Sequence, residues 1–453
     1  MAFLHKDSKP ATVPELELFD ISKTQTAVEH RYKLDCRPMS AVSEGSVVEF
    51  ALGGDNRDYL CTTESTLAVV LRMVYQDGSK LHLQEIGIDG APKEGSAADD
   101  KAVPVNNVVH SMFSQIDIFF NGTRMTQATN MYPYKAAFQT MLYNSADAKQ
   151  TRLLGEGFCA ESSDNLDSLV EDNPSYKWRH KLFKGSKIVE FETPLLEDVM
   201  QGKKYLLNGI RIQIKLYPSL QKFYIMSSDA AKQYKIELVD IVFRACMVKV
   251  NPGVIIGHAN AMEKSDAIYP YTRVETKSYS ISKDSSNVYL DNIFQGDRPS
   301  KIVFGFVSSK AFNGDHTRNP FKFHHYSVTD VKLVIDGQSV PGPPLKLDFD
   351  EYTGTRFMRA FNMMSESLGQ AGGEDNYAGG ITPHQFAHGH TLFVFNLEPM
   401  PPSDEYINLK RHANVRLEIN FSDPLIETVT LAMYAEQPDY FKVDTPRNVI
   451  LSH

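Results

Sequence analysis

Apolar and polar residues alternate along much of this chain, in short runs closed by turn residues. In residues 115–120, Ile116, Ile118 and Phe120 fall on one face, and Gln115 and Asp117 on the other. In residues 210–216 the apolar face is Ile210, Ile212, Ile214 and Leu216, opposite Arg211, Gln213 and Lys215. Val331, Leu333 and Ile335 oppose Asp330 and Lys332, while Val415, Leu417, Ile419 and Phe421 oppose Arg416, Glu418 and Asn420. A period of two is that of a half-buried strand in an antiparallel sheet. A slip of one residue would turn each apolar set into water, so register is well specified. Residues 46–52 and 65–75 add runs rich in β-branched side chains, closed by Gly53-Gly54-Asp55-Asn56 and Gln76-Asp77-Gly78.

The same phrases occur twice. Residues 113–122 read Phe-Ser-Gln-Ile-Asp-Ile-Phe-Phe-Asn-Gly, and residues 328–337 read Val-Thr-Asp-Val-Lys-Leu-Val-Ile-Asp-Gly. Residues 210–216, Ile-Arg-Ile-Gln-Ile-Lys-Leu, are echoed at 415–421 by Val-Arg-Leu-Glu-Ile-Asn-Phe. The offsets are 328 − 113 = 215 and 415 − 210 = 205, in the same order. Matched phrases at nearly one offset indicate a duplicated domain of about 200 residues, large enough to bury its own core. The endings rhyme as well, Met247-Val248-Lys249-Val250-Asn251-Pro252 against residues 440–446.

Each repeat carries one helical pattern after its Asn-Gly or Asp-Gly strand. Tyr134, Ala137, Phe138, Met141 and Leu142 recur at helical spacing, and Phe357, Met358, Phe361 and Met364 do so more loosely. No other long helical pattern is visible. Polar stretches at about 144–186 and 366–388 read as long surface loops. The proline-rich 341–344 and 399–402 read as rigid turns. The expected fold is all-β: two tandem eight-stranded antiparallel jelly-roll β-sandwiches with short helices in the loops. The expected division is an N-terminal arm at 1–40, a first jelly roll at 41–255 and a second at 256–453, joined near 253–268.

Composition adds limits. The chain has 453 residues, 42% hydrophobic and 23% charged, the balance of an ordinary globular chain. Its formal charge of −9 opposes indiscriminate binding to nucleic acid or acidic membranes, though a local basic patch is compatible with it. No apolar run approaches the ~18 residues of a membrane span, and the N-terminus turns polar at once, without the core of a secretory signal. The cysteines, Cys36, Cys61, Cys159 and Cys246, are scattered and read as reduced thiols. The glycosylation-like triplets at Asn121 and Asn420 read as coincidences.

No phosphate loop, nucleophile elbow or HExxH motif occurs, so no catalytic, cofactor-binding or metal residue is assigned. His324, His325, His384, His388 and His390 form the densest candidate group. Packing histidines are the plain reading; a metal site or a pH-sensitive contact is the sharper one. Asp348, Asp350 and Glu351 read as a helix cap, with a calcium site as the alternative. Residues 177–187 hold five Lys/Arg beside Trp178, the sole tryptophan. They read as a solvated loop over a packed Trp178, with a subunit contact or single-stranded nucleic acid as alternatives.

Several longer phrases carry a resemblance. Residues 110–117 (His-Ser-Met-Phe-Ser-Gln-Ile-Asp), 130–136 (Asn-Met-Tyr-Pro-Tyr-Lys-Ala) and 204–212 resemble the major capsid protein of Polinton/Maverick elements and adintoviruses. So do 311–314, 319–323, 390–395 and the terminal Arg447-Asn448-Val449-Ile450. The resemblance runs from about residue 45 to the end. It implies a double jelly-roll, non-enzymatic viral capsid protein whose homotrimers are pseudo-hexameric capsomers. It further implies neighbouring capsomers and a penton or vertex protein as partners, weak or indirect contact with packaged double-stranded DNA, and residence in the virion after assembly in the host cell, in the nucleus. The histidines of residues 385–390 depart from what is expected there. The rival reading is a double jelly-roll glycan-binding protein or amidase-type hydrolase, because fold does not decide function.

Overall fold

A computed structural model describes residues 7, 13–16, 18–19, 24–54, 57–84, 99–161, 166–170, 172–229, 231–294, 296–350, 356–369, 377–398 and 408–452. The first set of strands is β1 (Val28–Cys36), β2 (Val48–Leu52), β3 (Tyr59–Tyr75), β4 (Val103–Pro104), β5 (Phe113–Phe120), β6 (Thr123–Arg124), β7 (Ile188–Pro194), β8 (Ile212–Pro218), β9 (Ile225–Met226) and β10 (Tyr234–Val250). The second is β11 (Ala267–Ile281), β12 (Asn287–Leu290), β13 (Lys301–Ser308), β14 (Val328–Ile335), β15 (Gln338–Lys346), β16 (Phe393–Asn396), β17 (Val415–Phe421), β18 (Val429–Val443) and β19 (Val449–Leu451).

Their pairing is the same twice. The first set forms sheets β1-β10-β3-β7 and β2-β8-β5-β6, with β4 and β9 paired separately. The second forms β11-β18-β13-β16 and β12-β17-β14-β15, with β19 added beside β18. Lettering the eight main strands of each set B to I in chain order gives B-I-D-G facing C-H-E-F in both. That is the order of a jelly roll, so the chain is two tandem jelly-roll β-sandwiches with helices in the loops. The repeated phrases fall on strands E and H of each set, adjacent in one sheet: β5 beside β8, and β14 beside β17.

The apolar faces point inward as the alternation requires. Ile116, Ile118, Phe120, Ile212, Ile214 and Leu216 are buried in the first sandwich; Val331, Leu333, Val415, Leu417 and Ile419 are buried in the second. Phe50 on β2 meets Phe243 on β10 across the first sandwich, ring centres 6.3 Å apart. Phe306 on β13 meets Phe421 on β17 across the second at 5.8 Å. Each such side chain contributes roughly 2–3 kcal/mol on leaving water. Strands E and F are joined by two-residue turns, Asn121-Gly122 and Asp336-Gly337. All four residues have positive φ (47°, 86°, 48°, 84°), which matches the right-handed twist of a tight hairpin.

Four expectations need correction. Residues 28–36, inside the segment read as an arm, form β1, which pairs with β10 along its length. The prolines at 341–344 lie within β15 and make no turn; it is an edge strand, where a missing N–H breaks no ladder. Residues 399–402 lie outside the described residues. The linker carries a helix, Pro252–Met262, capped by the Asn251 side chain. A second unforeseen helix, Pro174–Phe183, is capped by Asn173.

Because the strands alternate in direction, the B–C, D–E, F–G and H–I connections gather at one end of each roll. The C–D, E–F and G–H connections gather at the other. The long insertions occupy the first end; strand B begins, and strand I ends, at the second.

Candidate functional site

The helix Tyr132–Leu142 lies between strands F and G of the first roll and is buried on nearly every side. Its outer face is covered by the second roll. Tyr134 stacks on Phe312 at 5.1 Å and meets Phe321 edge-on at 5.8 Å. Phe138 packs on Phe323 at 5.2 Å and on Tyr434 at 6.0 Å. Lys135 on the same helix is buried, with Glu197 at 2.5 Å and Asp198 at 2.6 Å. Asp198 in turn accepts the Val274 N–H of β11 at 2.7 Å. Burial alone would discharge Lys135, but the two carboxylates outweigh it and push its pKa up to about 12. The first roll therefore carries a fixed cation that holds two acids, one of which grips the second roll.

A second polar seam lies closer to the long loops. Arg179 is buried and donates to Glu161 at 2.8 Å and to the Pro104 carbonyl at 2.8 Å. Glu161 also accepts Asn319 Nδ2 of the second roll at 2.9 Å. Asp167 accepts the Asn319 N–H at 2.8 Å and pairs with Lys322 at 2.6 Å. Residues 144–186 are thus not a free surface loop. Their described residues include helices whose Leu153, Tyr176, Arg179 and Phe183 are buried, and these join the two rolls.

The basic run 177–187 is the latter part of that layer. Arg179 and Phe183 point inward, Trp178 packs against the core, and Lys177, Lys181 and Lys187 face water. Ahead of this run of Lys, Arg and aromatic residues, the Asn173-Pro174 pair was the usable helix signal: a cap followed by Pro at the first turn.

Four of the five histidines gather as two adjoining pairs. His324 and His325 have ring centres 4.7 Å apart, and His384 and His388 4.4 Å apart. His325 stacks on Phe349 at 4.4 Å. The pKa of His325 is pushed down to about 3, first by burial and then by His324 and His388. Its Nδ1 accepts the Ser327 N–H at 2.9 Å, a bond that protonation there would break. His388 stands at the C-terminal cap of the helix Pro383–Ala387. His390 sits near Lys149, and burial followed by that charge takes its pKa down to about 4. Within 366–388, Phe386 is fully buried, against the surface-loop reading.

Asp348 Oδ1 accepts the Asp350 N–H at 3.0 Å in a local turn, and the helix begins later, at Met358. Glu351 lies outside the described residues. All four cysteines are free thiols. Among the described residues one group has metal-ligand types close together: Cys61, Glu64 and Cys246, donor atoms within 4.8 Å. Cys61 and Cys246 are cross-strand partners, which the sequence spacing does not reveal. Glu64 is engaged by Arg31 at 2.7 Å, so the group falls short of a closed tetrahedral set. Asn121 is committed to the E–F turn, and Asn420 lies within β17. One residue the sequence reading did not single out chemically is His110. Its Nδ1 is 2.8 Å from Tyr132 Oη and its Nε2 2.9 Å from Thr193 Oγ1, fully buried. Burial pushes its pKa down to about 3.

The comparisons with known proteins agree with this architecture. The chain superimposes with a TM-score of 0.62 on a chain of the Sputnik virophage particle, 9% identical, covering 100% of this chain and 94% of that one. The mavirus major capsid protein gives 0.54, at 11% identity, over 99% and 96% of the two chains. At such identities the likeness is one of fold, and it extends over both jelly rolls. In sequence, the chain is 25% identical over 436 residues to the uncharacterized protein F54H12.2 of Caenorhabditis elegans, 94% of this chain and 98% of that protein. No protein-family model matches.

Proposed function

We propose that this chain is a viral major capsid protein of the Polinton, Maverick and adintovirus kind. Three copies form a capsomer, and capsomers tile an icosahedral shell around a double-stranded DNA genome. The observation that carries this reading is the duplication. Two sandwiches of identical strand order, held by a buried seam, make each subunit a pair of similar blocks. Three subunits then present six similar blocks around one axis, which suits a hexagonal lattice built from a threefold assembly. The likeness in fold to a mavirus capsid protein over nearly the whole chain supports the same reading.

In this reading the chain divides near residue 255 into two rolls, preceded by an arm. It works through its surfaces rather than through a catalytic cleft. Its partners are further copies of itself and a vertex protein, with the packaged DNA touched weakly or indirectly, and assembly takes place in the host nucleus. The exposed Leu16, Leu18 and Phe19 of the arm favour contact with a neighbour over free solution.

Light scattering followed by negative-stain microscopy tests it. The expected mass is near three times the 51.0 kDa chain, with hexagonal particles or closed shells. A monomer persisting at tens of micromolar would overturn the capsomer.

A further inference from the structure

A cleft of about 980 Å³ opens at the long-loop end, on the seam between the two rolls. Lys222, on the H–I connection of the first roll, stands on one wall. Lys283, on the B–C connection of the second roll, and Lys310, on its D–E connection, stand on the others. All three side chains are exposed, and none makes an ion pair among the described residues.

The walls are fixed in place. The Ser227 N–H donates to the His316 carbonyl at 2.8 Å, and His316 Nδ1 donates back to the Ile225 carbonyl at 3.1 Å. Gly314 has φ +91°, and a Cβ there would lie 2.9 Å from Lys222 Cγ and 3.2 Å from the Phe223 nitrogen. The D–E loop of the second roll is therefore pressed against the H–I loop of the first, and glycine is what allows it.

The charge is local and unbalanced. Of the two carboxylates lining the cleft, Glu427 is paired with Arg318 at 2.8 Å and accepts Tyr326 Oη at 3.1 Å. Asp315 accepts the N–H and the hydroxyl of Thr317 at 2.9 and 2.7 Å but keeps its charge. Three lysines less Asp315 leave 3 − 1 = +2 in a chain that carries −9 overall. A positive cleft on an otherwise acidic surface focuses anions.

We propose that this cleft binds an anionic glycan, one bearing sulfate or carboxylate groups along a hydroxyl-rich chain. Ammonium groups on three separate loops suit anionic groups spaced along a polymer. Ser309, Asn313 and Thr317 add hydroxyl and amide partners for sugar oxygens. Among the described residues no Phe, Tyr or Trp lines the cleft, and its one ring, His316, is tied to the Ile225 carbonyl, so the row of stacking platforms that single-stranded nucleic acid uses is missing. The site does not depend on the shell reading, since one chain supplies all of it.

The test is binding of a size-defined heparin-derived oligosaccharide to the full chain, by calorimetry at about 0.15 M salt, where surface charge is partly screened. The triple variant Lys222→Gln, Lys283→Gln, Lys310→Gln is expected to lose at least about tenfold in affinity, and wild-type affinity is expected to fall steeply with added salt. The three side chains are exposed and make no ion pairs among the described residues, so the variant is expected to keep the melting temperature and the light-scattering mass of the wild type; those two controls separate loss of this site from loss of the capsomer. Unchanged affinity in the triple variant would overturn the proposal. So would equal binding of an uncharged oligosaccharide of the same length, or displacement of the glycan by double-stranded DNA at matched charge concentration.

Discussion

The two jelly rolls share a strand order but spend their F–G helices differently. Tyr132–Leu142 in the first roll is buried almost all round, because the second roll covers its outer face. Met358–Gly369 in the second roll buries Ala360, Met364 and Leu368 on one side and leaves Met358, Arg359, Asn362 and Glu366 in water. The sheets stayed alike after duplication because each must close its own sandwich. The loops were free to diverge, and the first roll's helix became the wedge that joins the pair. A buried wedge needs its polar groups satisfied, which is why Lys135 arrives with Glu197 and Asp198.

The sharpest way to break this comparison is to remove that cation. Lys135→Ala leaves two carboxylates buried beside each other without a counter-charge, and is expected to cost about 3–5 kcal/mol. Glu366→Ala on the exposed face of the other helix is expected to stay within about 0.5 kcal/mol. Urea unfolding of both variants at one pH measures the contrast. Similar costs for the two would mean that the first helix is not the wedge.

Much of the sandwich was legible because a period of two survives in strands E and H of both rolls. Ile212, Ile214, Leu417 and Ile419 could sit nowhere but inside. The strand order B-I-D-G and C-H-E-F was reached only through the choice of jelly roll among sandwiches, since alternation does not specify which strands pair. The wedge helix was seen by its spacing, but not its burial on all sides, because Lys135 and Gln139 break the apolar text and nothing local shows the partners that cover them. Pro174–Phe183 was passed over for a related reason. Its Lys and Arg count suggested water, while Arg179 is buried by a partner, Glu161, eighteen residues earlier in the chain. The ligand-like trio at Cys61 and the lysine cleft both join residues far apart in sequence, which only the folded topology brings together.

A smaller effect, one that both rolls share, depends on pH. His110 is buried in the first roll with both ring nitrogens engaged, and its folded pKa lies near 3 against an ordinary 6.5. Above pH 6.5 both folded and unfolded forms are neutral, so its contribution is constant. As pH falls below 6.5 the unfolded chain takes a proton that the folded chain refuses, and stability is lost until about pH 3. Between pH 7 and pH 5 this one site is expected to cost about 2 kcal/mol. His325 and His390 shift the same way in the second roll and add to the total. Denaturant midpoints at the two pH values should converge by that amount in His110→Gln. An unchanged pH slope in the variant would assign the acid sensitivity elsewhere.

The finest comparison uses the two E–F turns, which match in backbone and differ in one donor. Asn121 Oδ1 accepts the Arg211 N–H at 2.7 Å, and Asp336 Oδ1 accepts the Asn414 N–H at 2.9 Å, so both acceptors stitch the turn to the start of strand H. Asn121 has a further role that Asp336 lacks: its Nδ2 donates at 2.7 Å to the Arg447 carbonyl, in the C-terminal segment that follows the second roll. Exchanging the residues isolates that donor. Asp and Asn both tolerate the left-handed backbone here, with φ of 47° and 48°, so the turn itself is preserved in either direction. Asn121→Asp keeps the acceptor, loses the donor and sets a carboxylate against a carbonyl, and is expected to cost about 1–2 kcal/mol. Asp336→Asn keeps its acceptor and is expected to change stability by less than about 0.5 kcal/mol. Hydrogen exchange at the β19 amides should speed up in the first variant alone, since the Thr123 hydroxyl bond to the Val449 carbonyl adjoins the lost tie. Equal effects of the two exchanges would show that the turns act within their own rolls, and that the first does not help hold the end of the chain.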